Sequence, residues 1–203
     1  MGNSLSLSEY QQDALREVAN IMVGHATTAL ARLSNQRIDI TIPSIEVLSM
    51  EEGLAFASGA SGIVAGVRTR LLGRISGEMF IIFPRESAFS LSDVVRGLPP
   101  DHTRYLNPSA ASALVEVGNV IAGACLGAFY QLLDISLIHS VPEFVYDVPN
   151  ALVAAERAQA PDEHMVVATV AFRSPDIHLA GSLMLLFSVE SMVELVDALE
   201  IRT

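Results

Sequence analysis

Two stretches of this chain place a glutamate, an asparagine and a glycine at the same helical spacing. The first reads EVANIMVG and runs from Glu17 to Gly24, and the second reads EVGNVIAG and runs from Glu116 to Gly123. Asparagine competes for backbone hydrogen bonds, and glycine costs up to about 1 kcal/mol in a helix interior. Because two poor helix formers recur in the same order, we infer that they serve something other than helix formation.

The chemistry open to these residues is limited. A glutamate carries a charge that pairs with a cation on a partner, whereas an asparagine offers both a hydrogen-bond donor and an acceptor. Asparagine is no proton base, but it can orient a water for attack, as a glutamine does in GTP hydrolysis. Glu17 with Asn20, and Glu116 with Asn119, are therefore candidate catalytic pairs. The alternatives are an inert, solvated helix face and an inherited duplication whose glycines serve only close packing. A metal site is disfavoured, since no cluster of His, Asp and Glu accompanies either pair in the sequence.

The same arrangement extends along the chain as an internal repeat. Asn20 and Asn119 stand 99 residues apart, and the same offset aligns Leu15 with Leu114, Val18 with Val117, Leu33 with Leu132 and Pro43 with Pro142. The segment GEMFIIFPRES (77–87) resembles GSLMLLFSVES (181–191), which lies 104 residues later. We predict one domain, 1–203, built from half-repeats of about 1–103 and 104–203. We expect the additional residues of the second half in ALVAAERAQAPDE (151–163).

Periodicity predicts two long helices that carry the motifs. The first runs from about Ser8 to Ser34, with Ser8 and Gln11 as a capping box, and the second runs from about Asn107 to Leu133, with Asn107 as the N-cap. At about 100° per residue, the motif residues fall on a stripe opposite the apolar stripe. The motif stripe holds Asp13, Glu17, Asn20 and Gly24 in the first helix and Ser112, Glu116, Asn119 and Gly123 in the second. The apolar stripe holds Leu15, Val18, Met22, Ala26, Ala29 and Leu33 in the first and Leu114, Val117, Ile121, Cys125, Ala128 and Leu132 in the second.

Extended segments follow each helix. Residues 37–49 and 135–148 are rich in Ile and Val, and the proline in each indicates an edge strand or a bulge. Two further strands follow in each half, 61–69 with 74–83 and 164–172 with 178–187, and short helices close the halves near 86–96 and 189–199. Consecutive hairpins imply antiparallel pairing. The predicted fold class is therefore α+β, with both long helices on one side of one shared antiparallel sheet.

The composition argues against several functions. A net charge of −11 disfavours nucleic acid and anionic lipid as partners. Every Lys or Arg position is an arginine, so the chain offers no Schiff-base or P-loop lysine. Cys125 is the one cysteine, which fits a reducing cytoplasm. We expect it in the core, because Gln131 stands where a thiolate phosphatase needs an arginine. No signal peptide and no apolar run of about 20 residues is evident, so we expect no membrane insertion.

The motif spacing resembles that of a known family. The pattern Asp/Ser-x3-Glu-x2-Asn-x22-Pro is met twice, first by Asp13, Glu17, Asn20 and Pro43 and then by Ser112, Glu116, Asn119 and Pro142. Along nearly its whole length the chain is similar to the CheC/CheX/FliY phosphatases of chemotaxis. Two intact motifs within 203 residues are most like CheC. FliY carries a further C-terminal domain, and we expect no such domain here.

The resemblance implies an activity, a partner and roles for the motif residues. Members of the family remove phosphate from the aspartyl phosphate of the response regulator CheY. Glu17 or Glu116 would pair with the regulator's active-site lysine, and Asn20 or Asn119 would hold the attacking water. Asp13 and Ser112 would contact the regulator. The chain would carry no cofactor of its own, because the regulator would supply the Mg²⁺.

The chain departs from the family pattern around its first motif. Ala19 stands where the second copy has Gly118, and His25 stands where the family often has an asparagine, so we expect the second site to be the more effective. Two other functions remain open. One is an adaptor that binds the receptor deamidase CheD through the segment PEFVYDVPNAL (142–152) and Asp147, with weak or no phosphatase activity. The other is a component of the flagellar switch.

Overall fold

The computed structural model describes residues 7–35, 37–49, 64–147, 164–174 and 177–200. In chain order these residues form α1 (Glu9–Ser34), β1 (Asp39–Ser49), β2 (Val64–Gly73), β3 (Gly77–Pro84), α2 (Arg85–Arg96), α3 (Pro108–Leu133), β4 (Leu137–His139), β5 (Glu143–Asp147), β6 (His164–Ser174), β7 (Ile177–Phe187) and α4 (Val189–Glu200). The predicted order of helices and strands is confirmed in the first half, whereas in the second half the single predicted segment 135–148 is divided into β4 and β5.

The described strands form one antiparallel sheet. Its order is β1-β6-β7-β3-β2-β4, and β5 also pairs with β2. Both long helices pack on the face that carries Ala65, Val67 and Leu71, where their apolar stripes form one core with the sheet. The predicted α+β class is therefore confirmed.

The two halves meet at the centre of the sheet. Strands β3 and β7 pair there, and Phe80 lies directly opposite Met184, its counterpart in the repeat. The glycines that open the two repeated segments have equivalent surroundings. A Cβ atom at Gly77 would collide with the backbone oxygen of Leu186, and one at Gly181 would collide with the backbone oxygen of Ile82. The two halves are thus related by a local twofold axis that passes through the Phe80–Met184 pair.

The first strand of each half pairs with the other half. Strand β1 pairs with β6, and the corresponding strands β4 and β5 pair with β2. The register of β1 shifts between Thr41 and Ser44, on either side of Pro43. Pro142 lies in the gap between β4 and β5. Each proline lies at an outer position of the sheet where the ladder is interrupted, as its missing N–H requires.

The second hairpin contains the residues that distinguish the two halves in length. The segment 151–163, where we expected them, lies outside the described residues. Phe83 pairs with Ala65, 18 positions earlier, whereas its counterpart Phe187 pairs with His164, 23 positions earlier. The difference accounts for all five additional residues, so the expected location is wrong. The register shows that β6 and β7 are extended towards their common turn.

The end of each apolar stripe also differs from the prediction. Leu15, Val18, Met22 and Ala26 are buried as predicted, but Ala29 and Leu33 are half-exposed, and Leu30 is 0% exposed in their place. The buried positions advance by four residues in the last turns of α1, which turns the contact away from the predicted stripe. Leu132 on α3 is half-exposed in the same way.

Helix α3 is apolar over most of its length. Among the described residues it is one helix with the length and hydropathy of a membrane-crossing segment, and 61% of its most apolar window is buried inside the protein. The high hydropathy of α3 does not come from a continuous apolar run of about 20 residues, because Glu116 and Asn119 interrupt the apolar residues of the helix. Packing against the sheet and α1 accounts for it, since small apolar residues such as Ala110, Ala122 and Ala128 are fully buried there.

Candidate functional site

Local capping places both motifs at the same distance from the N-terminus of their helices. Ser8 caps α1, with its Oγ accepting from the Gln11 N–H at 3.2 Å and its own N–H donating to Gln11 Oε1 at 2.8 Å. Asn107 caps α3, with its Oδ1 accepting from the Ala110 N–H at 2.9 Å. Both predicted caps are confirmed. Because each motif glutamate stands nine residues after its cap, the two motifs have the same phase on their helices.

The first site, Glu17 and Asn20 on α1, faces outward. Both side chains are exposed, and so is Gly24 in the next turn. Residues three apart on a helix have Cβ atoms about 5–6 Å apart, so the carboxylate and the amide can act on one bound group. Asp13, one turn earlier, is also exposed and forms a 3.0 Å ion pair with Arg16 on the same helix. That pair contributes little to stability, because both side chains are more than half exposed.

The second site, Glu116 and Asn119 on α3, is similar but less open. Ser112, Glu116 and Gly123 are exposed, whereas Asn119 is half-buried. Within the described part of the chain, the side chains of Glu17, Asn20, Glu116 and Asn119 take part in no hydrogen bond or ion pair. These four polar side chains are therefore available to a partner.

Two glycines leave open space beside the motif residues. A Cβ atom added at Gly24 or at Gly123 would meet nothing within 4 Å. Neither glycine is therefore required for close packing inside the described structure, which was the alternative explanation of their recurrence. Both positions carry the cost of a helical glycine without an internal benefit. Each motif thus has a helix surface without a side chain at the same position, which suits the close approach of a partner.

Gly118 explains the first departure between the two motifs. A Cβ atom there would lie 2.5 Å from Cγ1 of Val67 on β2, so α3 lies too close to the sheet for any side chain at this position. The matching residue on α1, Ala19, is buried and keeps its methyl group. An apolar cavity lies under α1 instead, lined in part by Val18, Ala19 and Cys125. The helix that carries the second site is thus packed more closely on the sheet than the helix that carries the first.

His25 accounts for the second departure. It is exposed, and a Cβ atom at Gly127 on α3 would lie 3.1 Å from its Nδ1 atom. The imidazole therefore lies against the neighbouring long helix, at a position where that helix has no side chain. Its bulk is accommodated in the contact between α1 and α3.

Cys125 lies in the core, as expected. It is 2% exposed, and burial raises the pKa of its thiol to about 12. A thiolate is the reactive form of cysteine, so this thiol is inert at neutral pH.

Asp147, the proposed CheD contact, ends β5 at one side of the sheet. It is exposed and lies opposite Val64 of β2 in the ladder. The preceding residues Phe144 and Tyr146 stack with their ring centroids 6.4 Å apart. Residues 148–152 of the proposed segment lie outside the described residues. Asp147 is thus placed on a different element from the two Glu/Asn sites.

The motif stripe of α3 is longer than predicted. The stripe continues after Gly123 through Gly127 to Tyr130, which is exposed. These residues follow Gly123 at intervals of four and three, so the helical period that predicted the motif stripe also reaches them. The helical period was therefore the signal in the sequence that could have identified Gly127 and Tyr130.

The fold and the sites define a class of protein: an internally duplicated α+β domain that presents a Glu/Asn pair on each of two long helices. The comparisons agree with this description. A profile of the CheC-like family matches residues 11–47. The CheY-P phosphatase CheC of Bacillus subtilis is 34% identical over 199 residues, which cover 95% of this chain and 95% of that protein.

Solved structures share the fold. Thermotoga maritima FliY superposes with a TM-score of 0.78 at 18% identity, over 98% of this chain and 100% of that chain. The CheX–CheY–BeF3–Mg²⁺ complex of Borrelia burgdorferi matches with a TM-score of 0.53 at 17% identity, over 84% of this chain and 97% of the matched chain. With the B. subtilis relative aligned along nearly its full length, this chain belongs to the CheC family.

Proposed function

We propose that this chain is a phosphatase that hydrolyses the aspartyl phosphate of a CheY-type response regulator in chemotaxis signalling. One observation carries the proposal. Both Glu/Asn pairs face outward without partners in the described structure, in a chain 34% identical to a protein named CheY-P phosphatase. A cytoplasmic location is part of the proposal.

The proposed reaction is an in-line attack of water on phosphorus. Asn20 or Asn119 holds the water, accepting a hydrogen bond from it and donating one to the phosphoryl group through the two ends of its amide. The water oxygen forms the new bond to phosphorus while the bond to the aspartyl oxygen breaks. The products are dihydrogen phosphate, which keeps both protons of the water, and the free carboxylate of the regulator. The rate gain comes from positioning, which needs no nucleophile on this chain.

The glutamates serve binding in this proposal. Glu17 or Glu116 pairs with a lysine of the regulator, while Asp13 and Ser112, one turn earlier on each helix, extend the contact. The chain brings no cofactor, and the regulator supplies Mg²⁺, which neutralises charge on the phosphoryl group. The solved CheX–CheY complex, which contains BeF3 and Mg²⁺, supports a CheY-type partner.

Removal of the asparagines tests the proposal. Phosphorylated B. subtilis CheY, with Mg²⁺ present, is incubated with the wild type, Asn20→Ala, Asn119→Ala and the double variant, and its decay is followed by radiolabel. Alanine is a better helix former than asparagine, so the variants should stay folded. The double variant should lose turnover by at least about 100-fold, because the water is no longer positioned. Asn119→Ala should cost more than Asn20→Ala, since α3 is packed more closely on the sheet.

Gln12→Ala is the matched control. Gln12 is an exposed amide on α1 outside the motif stripe, and its Nε2 donates to the Leu7 carbonyl at 3.1 Å. This variant should retain wild-type turnover. Wild-type turnover in the Asn20→Ala/Asn119→Ala protein would exclude phosphatase action at these sites.

The alternative function, an adaptor for CheD, rests on a different surface. Asp147 is an exposed acid at the end of β5, directly after Phe144, Val145 and Tyr146. Asp147→Arg reverses its charge and should abolish a CheD complex in a calorimetric titration. Glu143→Arg, the same reversal four residues earlier on β5, should leave the affinity within about threefold, since a rim charge contributes little. Equal affinity of wild type and Asp147→Arg would remove Asp147 from the adaptor hypothesis.

A further inference from the structure

Tyr130 is an exposed aromatic residue on the helix that carries the second motif. Its side chain is 59% exposed, and within the described residues it takes part in no hydrogen bond or ring contact. Buried tyrosines gain from their ring area, whereas this ring is left in solvent. The core gains little from it, so the residue is available for a contact outside the chain.

Tyr130 points in the same direction as the motif residues. It follows Asn119 by 11 residues, which is three helical turns plus about 20°. Gly123 and Gly127 lie between them on the same stripe and have no side chains. At these two positions between Asn119 and Tyr130, the helix surface therefore carries no side chain. The tyrosine ring projects at the end of this surface, about 16 Å along the helix from Asn119.

The local twofold arrangement brings Tyr130 next to the first site. The axis passes between β3 and β7 and is perpendicular to the sheet, so it reverses the direction of a helix lying on the sheet. Helices α1 and α3 are therefore antiparallel. Because His25 lies against Gly127, Tyr130 lies across from about Met22, between Asn20 and Gly24. Packed helices are about 8–10 Å apart, which a tyrosine side chain largely spans.

The repeat does not place an aromatic residue at the corresponding position beside the second site. The counterpart of Tyr130 at the 99-residue offset is Ala31 on α1. By the same twofold relation, Ala31 lies beside Asn119 as Tyr130 lies beside Asn20. The two sites thus have matching Glu/Asn pairs but different neighbours on the adjacent helix.

We infer that Tyr130 is a docking residue for the phosphorylated regulator at the first site, and that it makes the two sites unequal in regulator affinity. This inference rests on the proposed function. Tyrosine combines a large rigid ring with a polar tip, and it is enriched among the residues that dominate binding energy at interfaces. A regulator bound over Asn20 covers the adjacent surface of α3, since a specific interface buries about 800 Å² on each partner. Tyr130 is continuous with the first site and lies within that area.

Single-site variants allow the inference to be tested. Asn119→Ala leaves the first site active, and Asn20→Ala leaves the second. In the Asn119→Ala protein, Tyr130→Ala should raise KM for phosphorylated B. subtilis CheY by about 5- to 30-fold with kcat unchanged, because it removes binding that is uniform along the reaction. In the Asn20→Ala protein, the same change should leave both constants unaltered. Tyr130→Phe keeps the ring and should behave like the parent protein in each background.

The internal repeat supplies the reciprocal variant. Ala31→Tyr places an aromatic residue beside the second site and should lower KM in the Asn20→Ala background only. Calorimetric titration with beryllofluoride-activated CheY separates docking from turnover. Loss of one of two binding classes in Tyr130→Ala supports the inference even if the asparagine variants retain activity, which would defeat the proposed function alone. An unchanged KM, or an equal change in both backgrounds, would refute the role of Tyr130.

Discussion

At the residue scale, the case for function depends on side chains that do nothing for the fold. Asn20 is exposed and Asn119 half-buried, and neither has a hydrogen-bond partner in the described structure. A solvated glutamate alone would be unremarkable. The pairing with asparagine, repeated at the same depth in a second helix, restricts the chemistry to charge pairing and water positioning.

Cys125 provides a residue-scale prediction about pH. Burial raises the pKa of its thiol from 9.0 to about 12, so the folded state keeps a proton that the unfolded state loses. The contribution to stability is complete below about pH 9 and falls as pH rises towards 12. Relative to Cys125→Ala, the wild type should lose up to about 1.4 kcal/mol of unfolding free energy per pH unit in that range. Urea unfolding of both proteins between pH 7 and 10.5 measures it.

Thiol labelling gives an independent check of the same burial. In the native protein, iodoacetamide should modify Cys125 only as fast as the protein opens, because the reactive thiolate is not populated. Rapid labelling of folded protein at pH 8 would contradict the assigned pKa.

At the scale of the helix, two glycines of α3 are predicted to respond in opposite ways to the same substitution. Gly118→Ala would place a methyl group 2.5 Å from Val67 and should destabilise the fold by about 1–3 kcal/mol. Gly123→Ala meets nothing within 4 Å and should stabilise the helix by up to about 1 kcal/mol. It should nevertheless raise KM for the regulator in the Asn20→Ala background, because the added methyl group lies on the proposed contact surface.

Thermal unfolding and steady-state kinetics of both variants distinguish these effects. Gly24→Ala is the matched change on α1 and should likewise stabilise, with its kinetic effect confined to the first site. A Gly123→Ala protein that is less stable than the wild type would show that this glycine serves packing after all.

The helices could be predicted closely because their determinants are local. Ser8 and Asn107 cap within four residues, and the motif stripe follows from the helical period alone. Strand partners could not be predicted, since the pairing of β1 with β6 joins residues more than 100 positions apart. The packing role of Gly118 and the position of Tyr130 beside the first site could not be predicted for a related reason. The role of Gly118 depends on a side chain of β2, and the position of Tyr130 depends on which helix lies beside α1.

At the scale of the molecule, the two halves cannot be separated without breaking the sheet. Strand β1 has its described partner in the second half, and β4 and β5 have theirs in the first. The long helices also pack against each other, and each site is flanked by the helix of the opposite half. A single half would therefore lack the strand that pairs with its first strand. It would also lack the long helix that packs against its own and flanks its site.

Separated halves test this interdependence. The fragments 1–103 and 104–203 should each fail to give a cooperative thermal transition as monomers, since each loses the β3–β7 pairing and a partner for its first strand. Mixed after co-expression, they should form a stable one-to-one complex with phosphatase activity. The control is a full chain with a protease site in the exposed stretch around Pro100 and Asp101. Cleavage there cuts the connection but no strand pairing, so the nicked protein should keep its activity and much of its stability. Independent, monomeric folding of either fragment would mean that the exchange of first strands is not required, and each half would then be a domain in its own right.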